Sequence, residues 1–238
     1  REDPQNDDLA IAAAPPDKDQ AIDKLKKSHE RFRQSISELE RALNRENSDR
    51  ISDKIPTIEY RYLLAEANRR SATWPRQRSQ RVSFPDDKKG LIEDAIEFYQ
   101  KAHGLFGTLV DDLGQRDKEE LTEIESNILR NAYFARGDML YELAELEVDP
   151  QEKNNKYAEA VKDYGSAANA YDGQPESLEA FVRMASCYRK LKKPTEARIR
   201  LERAKISLSR IPKEADFKRT TRYSRDEWVA YLDVLVAL

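Results

Sequence analysis

The sequence predicts an all-α protein built as an array of antiparallel helix pairs. Three observations carry this. Apolar residues recur at steps of three and four along most of the 238 residues, and no run alternates between turn signals as a half-buried strand would. Glycine is scarce at seven, and charged residues at 37% nearly equal the apolar class at 39%, a balance suited to long, solvent-washed helices. A small-large-small triplet also comes three times: Ala95, Tyr99 and Ala102, then Ala160, Tyr164 and Ala167, then Ala197, Leu201 and Ala204. Offsets of four and seven fall on one helical face. Small residues flanking a large one let a partner helix come close while the large side chain fills the gap.

The elements follow in order. Residues 1–17 mix Asp, Asn, Ala and Pro without period, and Pro15-Pro16 stops a helix, so a flexible lead-in is expected there. Residues 18–47 form an N-terminal helix. Ile22, Leu25, His29, Phe32, Ile36, Leu39 and Leu43 make a heptad-like seam, which fits either a first array helix or a short coiled coil that drives self-association. Residues 44–56 read as a polar connection ending at Pro56, and Thr57 caps a helix to about residue 70. Residues 71–89, with Pro75 and Pro85, read as a long irregular loop. Helices are expected at 91–109 and 117–147, with a turn over 148–155 around Pro150. Three more follow at 156–171, 175–191 and 194–209, two of them opened by Pro175 and Pro194, where a first-turn proline is tolerated. Ser224 and Glu227 form a capping box that opens a terminal helix within a capping segment, 211–238. Its apolar end carries no C-cap and the chain begins on Arg1, so both ends read as cut from a longer or processed protein.

Each triplet is preceded by a helix with its own small residue: Ala65 beside Leu64, Gly137 with Tyr133 and Leu140, and Ala185 with Phe181, Met184 and Tyr188. Over residues 57–210 this resembles a tetratricopeptide repeat (TPR) array, an α-solenoid of helix pairs that holds other proteins. The sequence departs from the family in its period. The family repeats about every 34 residues, whereas the anchors here stand at Ala95, Ala160 and Ala197, with enlarged turns in the first two pairs, and Asn68 replaces an expected aromatic residue. A tightly packed helical bundle uses the same small-large-small spacing.

The resemblance implies a function: a scaffold binding a peptide or a neighbouring domain along a concave groove lined by the first helix of each pair. Carried over residue by residue, the groove positions are Tyr62, Glu66, Arg69 and Arg70, then Asn131, Phe134, Asp138 and Tyr141, then Arg183, Ser186, Arg189 and Lys190. Glu66 and Asp138 stand where the subclass that grips a C-terminal carboxylate has Asn, so that ligand is excluded and a groove acidic at one end and basic at the other is expected.

The alternative partner is a nucleic acid or another phosphate-bearing ligand. It would use the basic stretch 69–89, where Trp74 and Phe84 are interleaved with Arg76, Arg78 and Arg81. The net charge of -3 selects neither nucleic acid nor membrane by itself. No apolar run is long enough to span a membrane. Phosphate-loop, dinucleotide, zinc-helix and nucleophile-elbow motifs are all missing, and His29 and His103 are not paired with a nucleophile, so no catalysis, metal or cofactor is expected. The single Cys187 is read as a small buried hydrophobe. Such cysteine poverty fits the cytosol and equally a bacterial cell envelope.

Overall fold

A computed structural model describes residues 18–48 and 57–237, with α1 side chains described from Asp23 to Asn44. The expected lead-in 1–17, the seam residue Ile22 and most of the connection before Pro56 lie outside the described side chains. Every regular element among the described residues is a helix: α1 Lys18–Ser48, α2 Thr57–Ser71, α3 Thr73–Ser79, α4 Pro85–Gly114, α5 Glu123–Leu146, α6 Pro150–Ala170, α7 Glu176–Lys190, α8 Pro194–Arg210, α9 Phe217–Thr220 and α10 Arg225–Ala237. The chain divides into two compact units at Phe98 and Tyr99, inside α4.

In the N-terminal unit α1 packs on α2. His29 Nδ1 lies 2.9 Å from the Ser71 carbonyl oxygen, and the His29 ring meets Phe98 edge-on at 5.8 Å. The seam therefore has an intramolecular partner. The coverage is partial: among the described seam residues only Ile36 is buried, while Leu25, His29, Phe32, Leu39 and Leu43 are half-buried.

The expected loop 71–89 is corrected by the structure. Its first part is α3, and Pro85 opens α4 rather than ending a loop. Proline without its N–H suits the first helical turn, and Asp86 and Asp87 favour the positive end of the helix dipole.

In the C-terminal unit successive helices pack pairwise: α5 on α6, α6 on α7, α7 on α8, and α8 on α10. The triplets face inward as their spacing predicts. Tyr99, Ala102, Ala160, Tyr164, Ala167, Ala197, Leu201 and Ala204 are all at most 4% exposed. Gly137 fits under Tyr164 so closely that a Cβ there would lie 2.6 Å from the tyrosine ring.

The start of α5 is shifted from the expected residue 117. Thr122 caps the helix, accepting from the Glu125 N–H while the Glu125 carboxylate accepts from the Thr122 N–H at 3.0 Å. The expected turn 148–155 is also corrected. Asp149 caps α6 by accepting from the N–H groups of Gln151 and Glu152 at 2.9 and 2.8 Å, so only a few residues separate α5 from α6. Between α7 and α8 the Lys193 N–H donates to Tyr188 and the Lys192 N–H to Arg189, with Lys192 itself at φ 57°. That is a Schellman turn with lysine at the position glycine usually takes.

The expected box at Ser224 is present: its N–H donates to the Glu227 carboxylate at 2.7 Å. Trp228 of α10 is 1% exposed and donates from Nε1 to Thr221 Oγ1 at 3.0 Å. Cys187 is buried and free, as read from its helix, and burial pushes its thiol up to about 12.

Candidate functional site

Two surfaces carry the groove residues read from the sequence, one in each unit. On the C-terminal unit α5 and α7 lie side by side. Arg183 of α7 pairs with Asp138 of α5, and seven residues further along both helices Lys190 pairs with Glu145 at 2.7 Å. Each pair joins residues 45 apart, so the two helices run parallel.

Helix α6 returns antiparallel behind them. Its Tyr164 hydroxyl donates to Asp138 at 2.6 Å, its Tyr157 hydroxyl donates to Glu145, and Tyr171 stacks near Phe134 at 6.4 Å. As the α6 number rises, the α5 partner number falls.

The result is a ladder of two similar rungs. In the first, Arg183 sits 5.6 Å from the Phe134 ring centre and 5.9 Å from that of Tyr164, and bonds Asp138. In the second, Lys190 sits 5.8 Å from the Tyr141 ring centre and bonds Glu145. Each rung places a cation from α7 over an aromatic ring of α5 and ties it to an α5 carboxylate that also accepts from an α6 tyrosine. A cation held over a ring face and paired to a carboxylate is favoured by both terms when partly desolvated.

The titration shifts follow from these contacts. Burial works against the Arg183 charge, but Asp138 outweighs it and the guanidinium pKa is raised. Burial first, and then Asp138, holds the Tyr164 hydroxyl protonated well above its ordinary range. Burial also raises the Glu145 carboxyl, yet the hydrogen bonds from Lys190 and Tyr157 dominate and its pKa is lowered.

The ladder changes the expected charge layout. Asp138 and Arg183 neutralise one another, and Glu66 takes Arg69 at 2.8 Å and Arg70 at 3.3 Å, so acid and base are paired locally instead of standing at opposite ends. Phe134, Asp138, Tyr141, Arg183 and Lys190 are brought together. Phe134 is only 9% exposed and belongs to the packing. Asn131 and Ser186 are exposed on the same two helices, while Arg189 is exposed and donates to the Leu235 carbonyl of α10 at 2.9 Å. Sequence reasoning missed Glu145, Tyr157 and Tyr164 as polar partners. The signal was present in the heptad spacing of Phe134 and Tyr141, Asp138 and Glu145, Tyr157 and Tyr164, and Arg183 and Lys190.

On the N-terminal unit Tyr62, Glu66 and Arg70 line an open groove of about 640 Å³ between α1 and α2. Phe32, Leu39, Ala42, Leu63 and Ala67 give it apolar walls, and Leu63 is 51% exposed. Arg70 reaches over the Phe32 ring at 5.9 Å. Arg69 is directed to Glu66 instead of the groove wall.

The alternative basic residues are held on structured backbone. Trp74 and Arg76 are half-buried in α3, Arg78 is exposed near its end, and Arg81 and Phe84 are exposed in the short link to α4. Among the described residues no cluster of three or more His, Cys, Asp or Glu side chains is placed to hold a metal ion, and no helix is long and apolar enough to cross a membrane. His103 Nε2 faces Asp163 Oδ2 at 3.6 Å, and Arg136 closes on the same carboxylate at 2.7 Å, which makes a tie between α4, α5 and α6.

No protein-family model matches this chain, and no curated protein matches it either.

Proposed function

We propose that the chain is a protein-interaction scaffold built on TPR-like helix pairs, and that it binds partner segments on the faces of its first-in-pair helices. The observation that carries this reading is the parallel seam of α5 and α7. Two first-in-pair helices standing side by side, with a second helix packed antiparallel behind, are what a stacked helix-pair array requires. The small residues that permit it, Gly137, Ala160, Ala167 and Ala185, are all buried. The step of 45 residues is longer than the family's usual 34 because α5 and α6 are 24 and 21 residues long.

Asn131 on α5 and Ser186 on α7 are exposed, and Ser186 falls between the two rung cations, Arg183 and Lys190, along its helix. The test is capture of partners from lysate of the source organism by wild type and by an Asn131→Arg/Ser186→Arg variant. A protein held by wild type and released by the variant supports binding on this face. Identical capture by both removes the face from the reading.

A second reading has its own observation. Phe84 is 73% exposed beside exposed Arg81, which is the arrangement a base-stacking, phosphate-holding surface needs. Against it, Asp86 and Asp87 follow at once and Lys89 lies 3.8 Å from Glu93, so the charge is mixed. Oligonucleotide affinity that falls steeply with salt and is lost in Arg78→Glu/Arg81→Glu would favour it.

A further inference from the structure

On the interaction reading above, we infer that the α1–α2 groove receives one amphipathic helix from a partner protein, seated on Phe32, Leu39 and Leu63, with a basic residue opposite Glu38 and an acidic residue toward Arg70.

The groove length sets the size of the occupant. Its walls run from Phe32 to Ala42 on α1 and from Tyr60 to Arg70 on α2. At about 1.5 Å per residue each wall is roughly 15 Å long, which is three turns of helix. Wall residues recur at helical spacing on both sides, so an incoming helix with apolar anchors at i, i+3 or i+4, and i+7 meets one ridge per turn.

The lining chooses helix over extended peptide. Most of the wall is apolar, and an extended segment would lay unpaired N–H and C=O groups against it. A helix satisfies those groups internally. The exposed state of the walls points the same way. Leu63 is half in solvent, and the α1 seam is left partly open by α2.

Charge gives the direction. Glu38 is exposed at the rim and takes no ion-pair partner among the described residues. Glu66 is already taken by Arg69 and Arg70. Arg70 meets Glu66 through Nε, and its guanidinium carbon stands 5.9 Å from the Phe32 ring centre at that end of the groove. A helix with an acid near one end and a base about two turns later complements both.

The probe is a fluorescein-labelled, end-capped Ala/Leu helical peptide with leucines at i, i+4 and i+7, a glutamate at one end and a lysine at the other. Its binding to the full chain is read by anisotropy. Wild type binds, Leu63→Glu weakens binding at least about tenfold, and Glu38→Lys weakens it several-fold. A probe whose lysine is replaced by glutamate restores the Glu38→Lys affinity. Leu63 and Glu38 are both solvent-exposed, and unchanged circular dichroism of the variants shows that the fold is kept. The inference is overturned if no probe binds, if Leu63→Glu leaves affinity unchanged, or if a proline-interrupted probe binds equally well. It is also overturned if sedimentation shows a wild-type dimer that Leu63→Glu dissolves, because a second copy is then the occupant. Failure here together with partner loss in Asn131→Arg/Ser186→Arg would sink the groove and leave the scaffold reading standing.

Discussion

Gly137→Ala should destabilise the protein even though alanine is the better helix former. A Cβ at this position would lie 2.6, 2.8 and 2.9 Å from three ring atoms of Tyr164, about an ångström inside normal carbon-carbon contact. The ring cannot swing aside cheaply. Tyr164 is 2% exposed and its hydroxyl is tied to Asp138 at 2.6 Å. Overpacking of this kind costs about 1 to 3 kcal/mol, and the helix propensity of alanine over glycine returns roughly 0.8 to 1.0. With three ring atoms of a tethered side chain in conflict, the upper part of that range applies, so the net expectation is a loss of about 1 to 2 kcal/mol, read as a fall of about 2 to 8 °C in the melting midpoint of a chain this size.

Gly104→Ala is the matched control. It also lies inside a helix, α4, but its Cβ would meet nothing within 4 Å, so the propensity gain of roughly 0.8 to 1.0 kcal/mol stands alone. The same substitution therefore moves stability in opposite directions at two glycines. Thermal or urea unfolding of both variants decides it. A Gly137→Ala protein more stable than wild type would refute the close α5–α6 approach.

Three further outcomes are expected. Lys192→Gly should raise stability by about 1 kcal/mol in urea unfolding, because Lys192 holds a left-handed backbone at φ 57° that glycine adopts freely. Cys187 should not react with an aromatic disulfide reagent in the native protein, since it is fully buried with its thiol pushed up to about 12, and should release one equivalent on denaturation. Glu145 has a folded pKa below its ordinary 4.5, so its contribution is complete above that value and is lost as the pH falls through the folded pKa. Wild type should therefore exceed Glu145→Gln in unfolding midpoint at pH 7, and the gap should close in acid.

Much of the helical framework is legible in single-helix patterns. The small-large-small triplets predict which faces are buried, because close helix approach demands small residues at fixed spacing. The boundaries at Pro194 and at Ser224 with Glu227 follow from terminal chemistry that one short segment contains. The α4 start is not legible in the same way. Pro85 breaks a helix when read as interior and opens one when read as a first residue, and with Pro75 and no apolar period over 71–89 the stretch reads as a loop. The Thr122 box is hard to read for another reason: the acidic residues Asp117, Glu119 and Glu120 before it suit a helix start as well as a loop.

The candidate site was legible in part. The resemblance implies groove positions for Phe134, Asp138, Arg183 and Lys190, but it says nothing of who meets whom across helices. That depends on the 45-residue register, which is set by the full lengths of α5 and α6. Two of the charges assigned to a ligand, Asp138 and Arg183, turn out to satisfy each other. The α1–α2 groove was hidden for a similar reason: the seam predicts a partner for α1, and only packing reveals how much of that seam α2 leaves uncovered.

The parallel seam of α5 and α7 is the claim on which the scaffold reading stands, and a double-mutant cycle on Asp138 and Arg183 tests it most directly. Asp138→Asn keeps an acceptor for Tyr164, and Arg183→Met keeps the packing between Phe134 and Tyr164, so each substitution removes the charge pair with little else. A coupling of about 1 kcal/mol or more in urea unfolding is the expected result for residues in contact. Effects that add to within about 0.5 kcal/mol would contradict the register and, with it, the side-by-side arrangement of the two helices.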